Sequence, residues 1–96
     1  MLEQLTIRTN HKAALRPVLQ SAMEGEKRMI AFGLQKTQQR LADFERQFGM
    51  TSAEFERRPN SGELEETLTF TDWRMEVGML CLLESQYRAL HEAQID

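Results

Sequence analysis

Apolar residues recur at steps of three and four along most of the chain, and this spacing predicts α-helices. The first series opens after Asn10, a good N-cap residue, and Gly49 is suited to end its helix. Its apolar or small positions are Leu15, Leu19, Ala22, Ile30, Gly33, Thr37, Leu41, Phe44 and Phe48. The pattern predicts one long helix over 10–48, which either kinks at Pro17 or starts at about Arg16, because proline disrupts a helix interior.

A second long helix is predicted over 70–94 from the same spacing. Its apolar seam consists of Trp73, Val77, Leu80, Leu83, Tyr87 and Leu90. Thr69 and Thr71 are its candidate N-caps, because a hydroxyl oxygen can accept hydrogen bonds from the backbone N–H groups of a first helical turn. Two long helices joined by a short connection predict an all-α antiparallel hairpin.

A short helix over 52–58 is predicted between the two long ones. Thr51 and Glu54 form a capping box that opens it, and Phe55 is its expected inward-facing anchor. A proline then closes this helix, and turn-forming residues lead into a predicted loop over 59–69. The whole chain is therefore expected to be a single helical domain.

A second apolar stripe lies beside the seam of the last helix and is formed by Met75, Met79, Leu82 and Ala89. Between residues 77 and 83 every direction around the helix is therefore apolar or glycine, which predicts a segment buried on all sides. Cys81 lies in this segment and is expected to pack in the core as a small hydrophobic residue. One other long helix cannot cover this perimeter, so we expect a homo-oligomer or a heteromer.

Glycine and glutamate residues interrupt these apolar patterns. Gly33 and Gly78 each cost about 1 kcal/mol relative to alanine inside a helix, so we expect another backbone or a bulky side chain close by, with Trp73 against Gly33. Glu26 fills one step of the first seam. It either borders the seam and faces water, or it is buried and paired with a basic residue such as Arg40.

Residues 1–9 precede the helical pattern and are predicted to form a flexible or extended arm. Polar and apolar residues alternate over 4–9, which is typical of a short strand that pairs with another chain. Gln4, Thr6 and Arg8 would then share one face, as in the DNA-binding arm of ribbon-helix-helix proteins. Those domains need two short helices after the strand, so DNA binding is the less favoured alternative.

Composition and charge narrow the classes of function. The 96 residues fit one domain, and the formal charge of −3 excludes a generally basic nucleic-acid-coating protein. The first 48 residues carry +3 and the last 48 carry −6, which is a weak indication of a charged partner. A single cysteine favours a reducing compartment, and hence the cytoplasm. Neither an export signal nor a membrane-spanning stretch is expected.

The sequence contains no recognisable catalytic constellation. No serine or cysteine has a neighbouring base, so we do not expect an enzyme. His11 and His91 lie at opposite ends of the chain without cysteine or carboxylate residues at ligand spacing, so they are expected at the surface. Neither a metal nor an organic cofactor is predicted. A helical interaction protein, or a plain homo-oligomeric scaffold, fits these features.

One further pattern of apolar and turn residues spans roughly residues 20–90. It comprises EKRMIAFGLQKTQQRL at 26–41, Phe44-Glu45, FGMTSAEF at 48–55, Gly62-Glu63-Leu64 and Asp72-Trp73. This pattern resembles a group of small helical bacterial and archaeal proteins on the antitoxin side of toxin–antitoxin gene pairs, the partners of TumE-type toxins. Pro59 departs from the aromatic or aliphatic residue expected there. The resemblance implies neutralisation of a toxin-like protein, from a neighbouring gene, by direct contact.

The predicted partner-binding surface combines apolar and acidic residues. Met75, Met79 and Leu82 supply apolar area that no helix of this chain is expected to cover. Three acidic residues in the preceding loop are expected to attract a complementary partner and to set which partner is accepted. These residues are Glu63, Glu65 and Glu66.

Overall fold

The computed structural model describes residues 2–58 and 67–95 of the chain, and these residues form three α-helices. These helices are α1 (Lys12–Phe48), α2 (Ser52–Arg57) and α3 (Leu68–Glu92). The long helices α1 and α3 pack against each other as an antiparallel hairpin, which confirms the predicted all-α architecture. No strand occurs in the described residues. The predicted loop falls largely on 59–66, which lies outside them.

The start of α1 differs from the prediction. His11, and not Asn10, occupies the N-cap position, and its side chain makes no capping hydrogen bond. The helix begins at Lys12 and continues through Pro17, so the predicted start near Arg16 is wrong. Proline this close to the N-terminus removes only one early hydrogen bond, which a 37-residue helix can tolerate.

Glycine and threonine define the corner between α1 and α2 as predicted. Gly49 ends α1 with φ 62° and ψ 33°, a left-handed conformation that glycine adopts without steric cost. The Thr51 hydroxyl oxygen then accepts a hydrogen bond from the Glu54 backbone N–H at 3.1 Å and opens α2. The predicted closing residue, Pro59, lies outside the described residues, and α2 ends at Arg57.

The N-cap of α3 is Thr67. Its hydroxyl oxygen accepts a hydrogen bond from the Phe70 backbone N–H at 3.1 Å. The predicted caps Thr69 and Thr71 are wrong, because both lie inside the helix that begins at Leu68. Several threonines in this stretch have the chemistry of a cap, and only the path of the chain selects among them.

An aromatic cluster forms the main core at the closed end of the hairpin, where α2 covers α1 and α3. Phe55 and Trp73 are fully buried, and their rings stack with centroids 3.9 Å apart and planes 4° from parallel. Phe44 and Phe48 stack on Trp73 at 5.5 and 5.6 Å. Phe55 is therefore the inward-facing anchor that the sequence predicts.

Polar groups around Trp73 are satisfied within this cluster. The indole Nε1–H of Trp73 donates a hydrogen bond to the Ser52 hydroxyl at 2.9 Å. The Ser52 backbone N–H donates in turn to a Glu45 carboxylate oxygen at 2.7 Å. A chain of two hydrogen bonds thus links all three helices, which fixes the position of α2 over the aromatic rings.

Two contacts fix the register between α1 and α3. Gly33 lies beside Leu83, where a Cβ atom added to the glycine would be 3.4 Å from a leucine methyl group. The Arg40 guanidinium bonds the Glu76 carboxylate at 2.8 Å. The expectation that Trp73 packs on Gly33 is wrong, because Trp73 lies nearer the closed end.

The hairpin exposes far more surface than a compact protein of its size. Its accessible surface is 7815 Å², whereas a folded monomer of 11.2 kDa exposes about 5700 Å². The radius of gyration is 18.8 Å, compared with about 12.5 Å for a compact domain of this length. Two long helices have therefore folded with much of their perimeter uncovered.

Substitution by alanine should change the stability of the fold in opposite directions at Gly78, inside α3, and at Gly49, at the end of α1. Nothing lies within 4 Å of a Cβ added to Gly78, so the expected close neighbour is absent there. Gly78→Ala should stabilise the fold by about 0.5–1 kcal/mol through helix propensity. Gly49→Ala should destabilise it by about 1–2 kcal/mol, because its φ is positive. Thermal unfolding followed by circular dichroism measures both, and equal shifts would contradict this account.

The aromatic cluster should dominate the free energy of unfolding. Phe55→Ala should lower it by about 3–5 kcal/mol, because a fully buried ring leaves a cavity beside Trp73. Phe32→Ala is the matched control, since this ring is 59% exposed and should cost less than about 1 kcal/mol. Urea titration compares the two variants, and similar losses would show that the closed end is not the main core.

Candidate protein-interaction face

The last helix carries three large apolar side chains that do not face α1. Met75, Met79 and Leu82 are 68%, 44% and 51% exposed. They follow one another at steps of four and three, so they form one stripe along α3. Each comes one residue before a less exposed position, because successive residues of a helix point about 100° apart. Packing against a single helix leaves this stripe uncovered.

Helix α1 adds a second stripe that the sequence analysis missed. Met29 and Phe32 are 69% and 59% exposed, and each comes one residue before a seam position, Ile30 or Gly33. The sequence does indicate this stripe, because the two residues are three apart and each comes one residue before a seam position. Periodicity alone does not show which side of the hairpin such a stripe occupies.

By helical geometry the α1 stripe lies on the same side of the hairpin as Met79 and Leu82, each of which comes one residue before a seam position, and Met75 lies one turn along α3 from Met79. Viewed along the hairpin axis, the chain winds clockwise in one of two antiparallel helices and anticlockwise in the other as residue numbers increase. Residues that come one position before a seam residue therefore lie on the same side of the hairpin in both helices. The ion pair between Arg40 and Glu76 demonstrates this, since each comes one residue before a seam position, Leu41 or Val77, and they bond directly. We call the combined surface the apolar face, formed by Met29, Phe32, Met75, Met79 and Leu82.

The Lys36 side chain lies beside the Phe32 ring on the apolar face. The Lys36 ammonium is 4.7 Å from the centroid of the Phe32 ring, within the range of a cation–π interaction. The long apolar stem of lysine also extends the hydrophobic area that a partner could contact. The face thus combines adaptable methionine side chains with one aromatic anchor, a composition suited to binding protein surfaces.

The other predicted site residues lie elsewhere. Gln4, Thr6 and Arg8 belong to residues 2–9, which are exposed and form no strand, so the structure places no ribbon in the single chain. The predicted acidic residues at 63, 65 and 66 lie outside the described residues. The structure therefore brings together only the apolar part of the predicted partner-binding surface.

Several side chains with potential chemistry are at the surface. Cys81 is exposed, so its predicted core position is wrong: α1 covers one side of α3 only, and this residue points away from it. Glu26 is exposed and faces water, as one of its two interpretations predicts. His11 and His91 are exposed as expected.

The described residues hold no grouping of side chains typical of a metal centre. Within residues 2–58 and 67–95, no three histidine, cysteine or acidic side chains are grouped to hold a metal ion. The helices of this part of the chain also lack the length and apolar character needed to cross a membrane. No protein-family model matches the chain, and no curated protein or solved structure is significantly similar to it.

Proposed function

We propose that this chain is a non-enzymatic protein-binding module that holds a partner protein on its apolar face. More specifically, as the resemblance implies, we propose that it is the antitoxin-like component of a toxin–antitoxin pair and acts in the cytoplasm. There it neutralises a toxin-like protein from a neighbouring gene by direct contact. The observation that carries the proposal is the row of exposed methionine and leucine side chains on a helix whose other side packs on α1.

The size of the apolar face is adequate for a specific interface. Fully burying an exposed methionine or leucine side chain contributes about 1.5–3 kcal/mol, and each of the five residues of the apolar face, which are 44–69% exposed, would contribute part of that in a well-packed complex. A standard interface takes about 800 Å² from each partner. The accessible surface of the hairpin exceeds that of a compact monomer by about 2100 Å², which leaves room for such an interface.

The acidic residues contribute a different property in this proposal. Glu63, Glu65 and Glu66 precede α3 in the chain, and carboxylates beside an interface accelerate the encounter with a basic partner. Their contribution is screened by salt, whereas burial of the apolar face is not. Substituting the acidic residues should therefore weaken binding mainly at low salt, whereas substituting the apolar residues should weaken it at any salt concentration.

Met79→Asp and Leu82→Asp should each abolish neutralisation, because an unpaired carboxylate is placed in an apolar contact. We expect binding to weaken at least about 30-fold, measured by calorimetry with the product of the neighbouring gene. Cys81→Asp is the matched control, since it adds the same charge at an exposed α3 position that follows, rather than precedes, the seam residue Leu80 and so lies off the apolar face; it should leave binding unchanged. Co-expression with the neighbouring gene gives the cellular readout.

Two results would contradict this proposal. One is a neighbouring gene that is harmless when expressed alone. The other is a Met79→Asp variant that keeps its helical spectrum and protects cells as well as the natural sequence. Gel-shift assays with DNA from upstream of the gene, comparing Arg8→Ala with the natural chain, would then test the alternative of DNA binding.

Charge reversal at Glu65 and Glu66 should weaken binding in a salt-dependent way. The double change to lysine should reduce the association rate about tenfold or more at low salt, because attraction to the partner becomes repulsion. At high salt the variant and the natural chain should associate at similar rates. Stopped-flow measurements over a salt series give these rates, and a defect that is independent of salt would contradict a steering role.

A further inference from the structure

The first three turns of α1 have no helix opposite them. The pairing of Gly33 with Leu83, and of Arg40 with Glu76, brings the last residue of α3, Glu92, level with residue 24. A hydrogen bond from Lys27 lowers the pKa of Glu24, and the charges of Arg28 and His91 add to this shift. Residues 12–23, which we call the overhang, therefore extend about 18 Å beyond α3.

The apolar seam of α1 continues into this overhang. Leu15 and Leu19 lie on the seam and are only half-buried, although no α3 residue reaches their level. Val18 beside them is 60% exposed. The chain's own arm and residues 92–95 line the space beside these leucines but leave it open, so a further element can pack there.

Local sequence does not stabilise the overhang as a lone helix. Pro17 removes one backbone hydrogen bond in the second turn, and His11 provides no side-chain cap. The first turn contains no acidic residue, whereas Lys12 brings positive charge to the positive end of the helix dipole. The overhang extends a helix that is already nucleated, so it forms without a nucleation cost, but its sequence does little to prevent fraying from Lys12, and packing against another element would stabilise it.

The same end of the hairpin carries an exposed apolar arm and an open groove. Along residues 2–9, Leu2, Leu5 and Ile7 are 76%, 92% and 55% exposed. A groove of about 820 Å³ lies between this arm, the overhang and residues 92–95. Its apolar lining includes Leu15, Leu19, Met23 and Ile95.

Charges around the groove are mixed in sign. Arg8, Lys12 and Arg16 line it together with Glu3 and Glu92. A second copy brings the same set, so basic residues of one chain meet acidic residues of the other without a block of like charge. This end thus presents both an apolar segment and a groove that fits one.

We infer that the occupant of this end is a second copy of the chain, with the two overhangs packed side by side and each arm lying in the groove of the other copy. A twofold interface requires the same patch on both subunits to be self-complementary, and the arm and its groove meet this requirement. The surplus surface of about 2100 Å² per chain is enough for such an interface in addition to the apolar face. The resulting dimer presents two apolar faces to other proteins.

Light scattering coupled to size exclusion tests this arrangement on the full chain. The natural chain should elute at about twice 11.2 kDa. Val18→Asp should weaken self-association at least about 30-fold, and Leu5→Asp should weaken it to a similar extent. Because Leu5 lies in the arm and not in a helix, a folding defect in α1 cannot explain both results. Met79→Asp is the control that should remain a dimer.

The outcomes separate this inference from the proposed function. A natural chain that is monomeric at high micromolar concentration overturns it. So does a dimer that survives both Val18→Asp and Leu5→Asp, or one that Met79→Asp dissociates, since the interface would then be elsewhere. If Met79→Asp alone loses binding to the product of the neighbouring gene, that result bears only on the proposed function. Dissociation by Val18→Asp and Leu5→Asp alone supports the open-end dimer.

Discussion

The stack of Phe55 on Trp73 is the interaction on which the rest of the structure depends. A six-residue helix brings one ring and α3 brings the other, while Phe44 and Phe48 of α1 enclose them. Aromatic rings of this size supply much of the apolar area that a small domain can bury. The hydrogen bond from Trp73 to Ser52 then holds α2 in place. These contacts close the hairpin, while the Gly33–Leu83 and Arg40–Glu76 contacts fix the register of α1 against α3.

Because the aromatic cluster lies at one end of the hairpin, the rest of α1 and α3 is held by fewer contacts. Away from the aromatic cluster the seam relies on aliphatic residues such as Ile30 and Leu83, and each long helix covers only one side of the other. The perimeter left over is too large for a compact monomer, as the accessible surface shows. Its apolar content is not spread evenly, since it collects on the apolar face along the hairpin and on the overhang beyond α3.

These two surfaces have different physical characters. The apolar face belongs to the paired part of the hairpin, so its backbone is held by α1–α3 packing before any partner arrives. Such a surface is preorganised, and preorganisation lowers the entropic cost of binding. The overhang contains Pro17 and lacks a side-chain cap, so packing against it would limit the fraying of its free end. A preformed face suits an exchangeable partner, whereas a segment that packing would stabilise suits a permanent one.

The sequence by itself determined the features that depend on neighbours along the chain. Helical periodicity located the seams, Gly49 ended α1, and Thr51 opened the short helix that carries Phe55. Such features follow from local hydrogen bonding and backbone preference, which a few residues specify. Only the tertiary structure decided that Gly33 meets Leu83, that Cys81 is exposed, and which threonine caps α3. It also placed the α1 and α3 stripes on one side and left the overhang unpaired, because register between helices is set by distant side chains that periodicity does not encode.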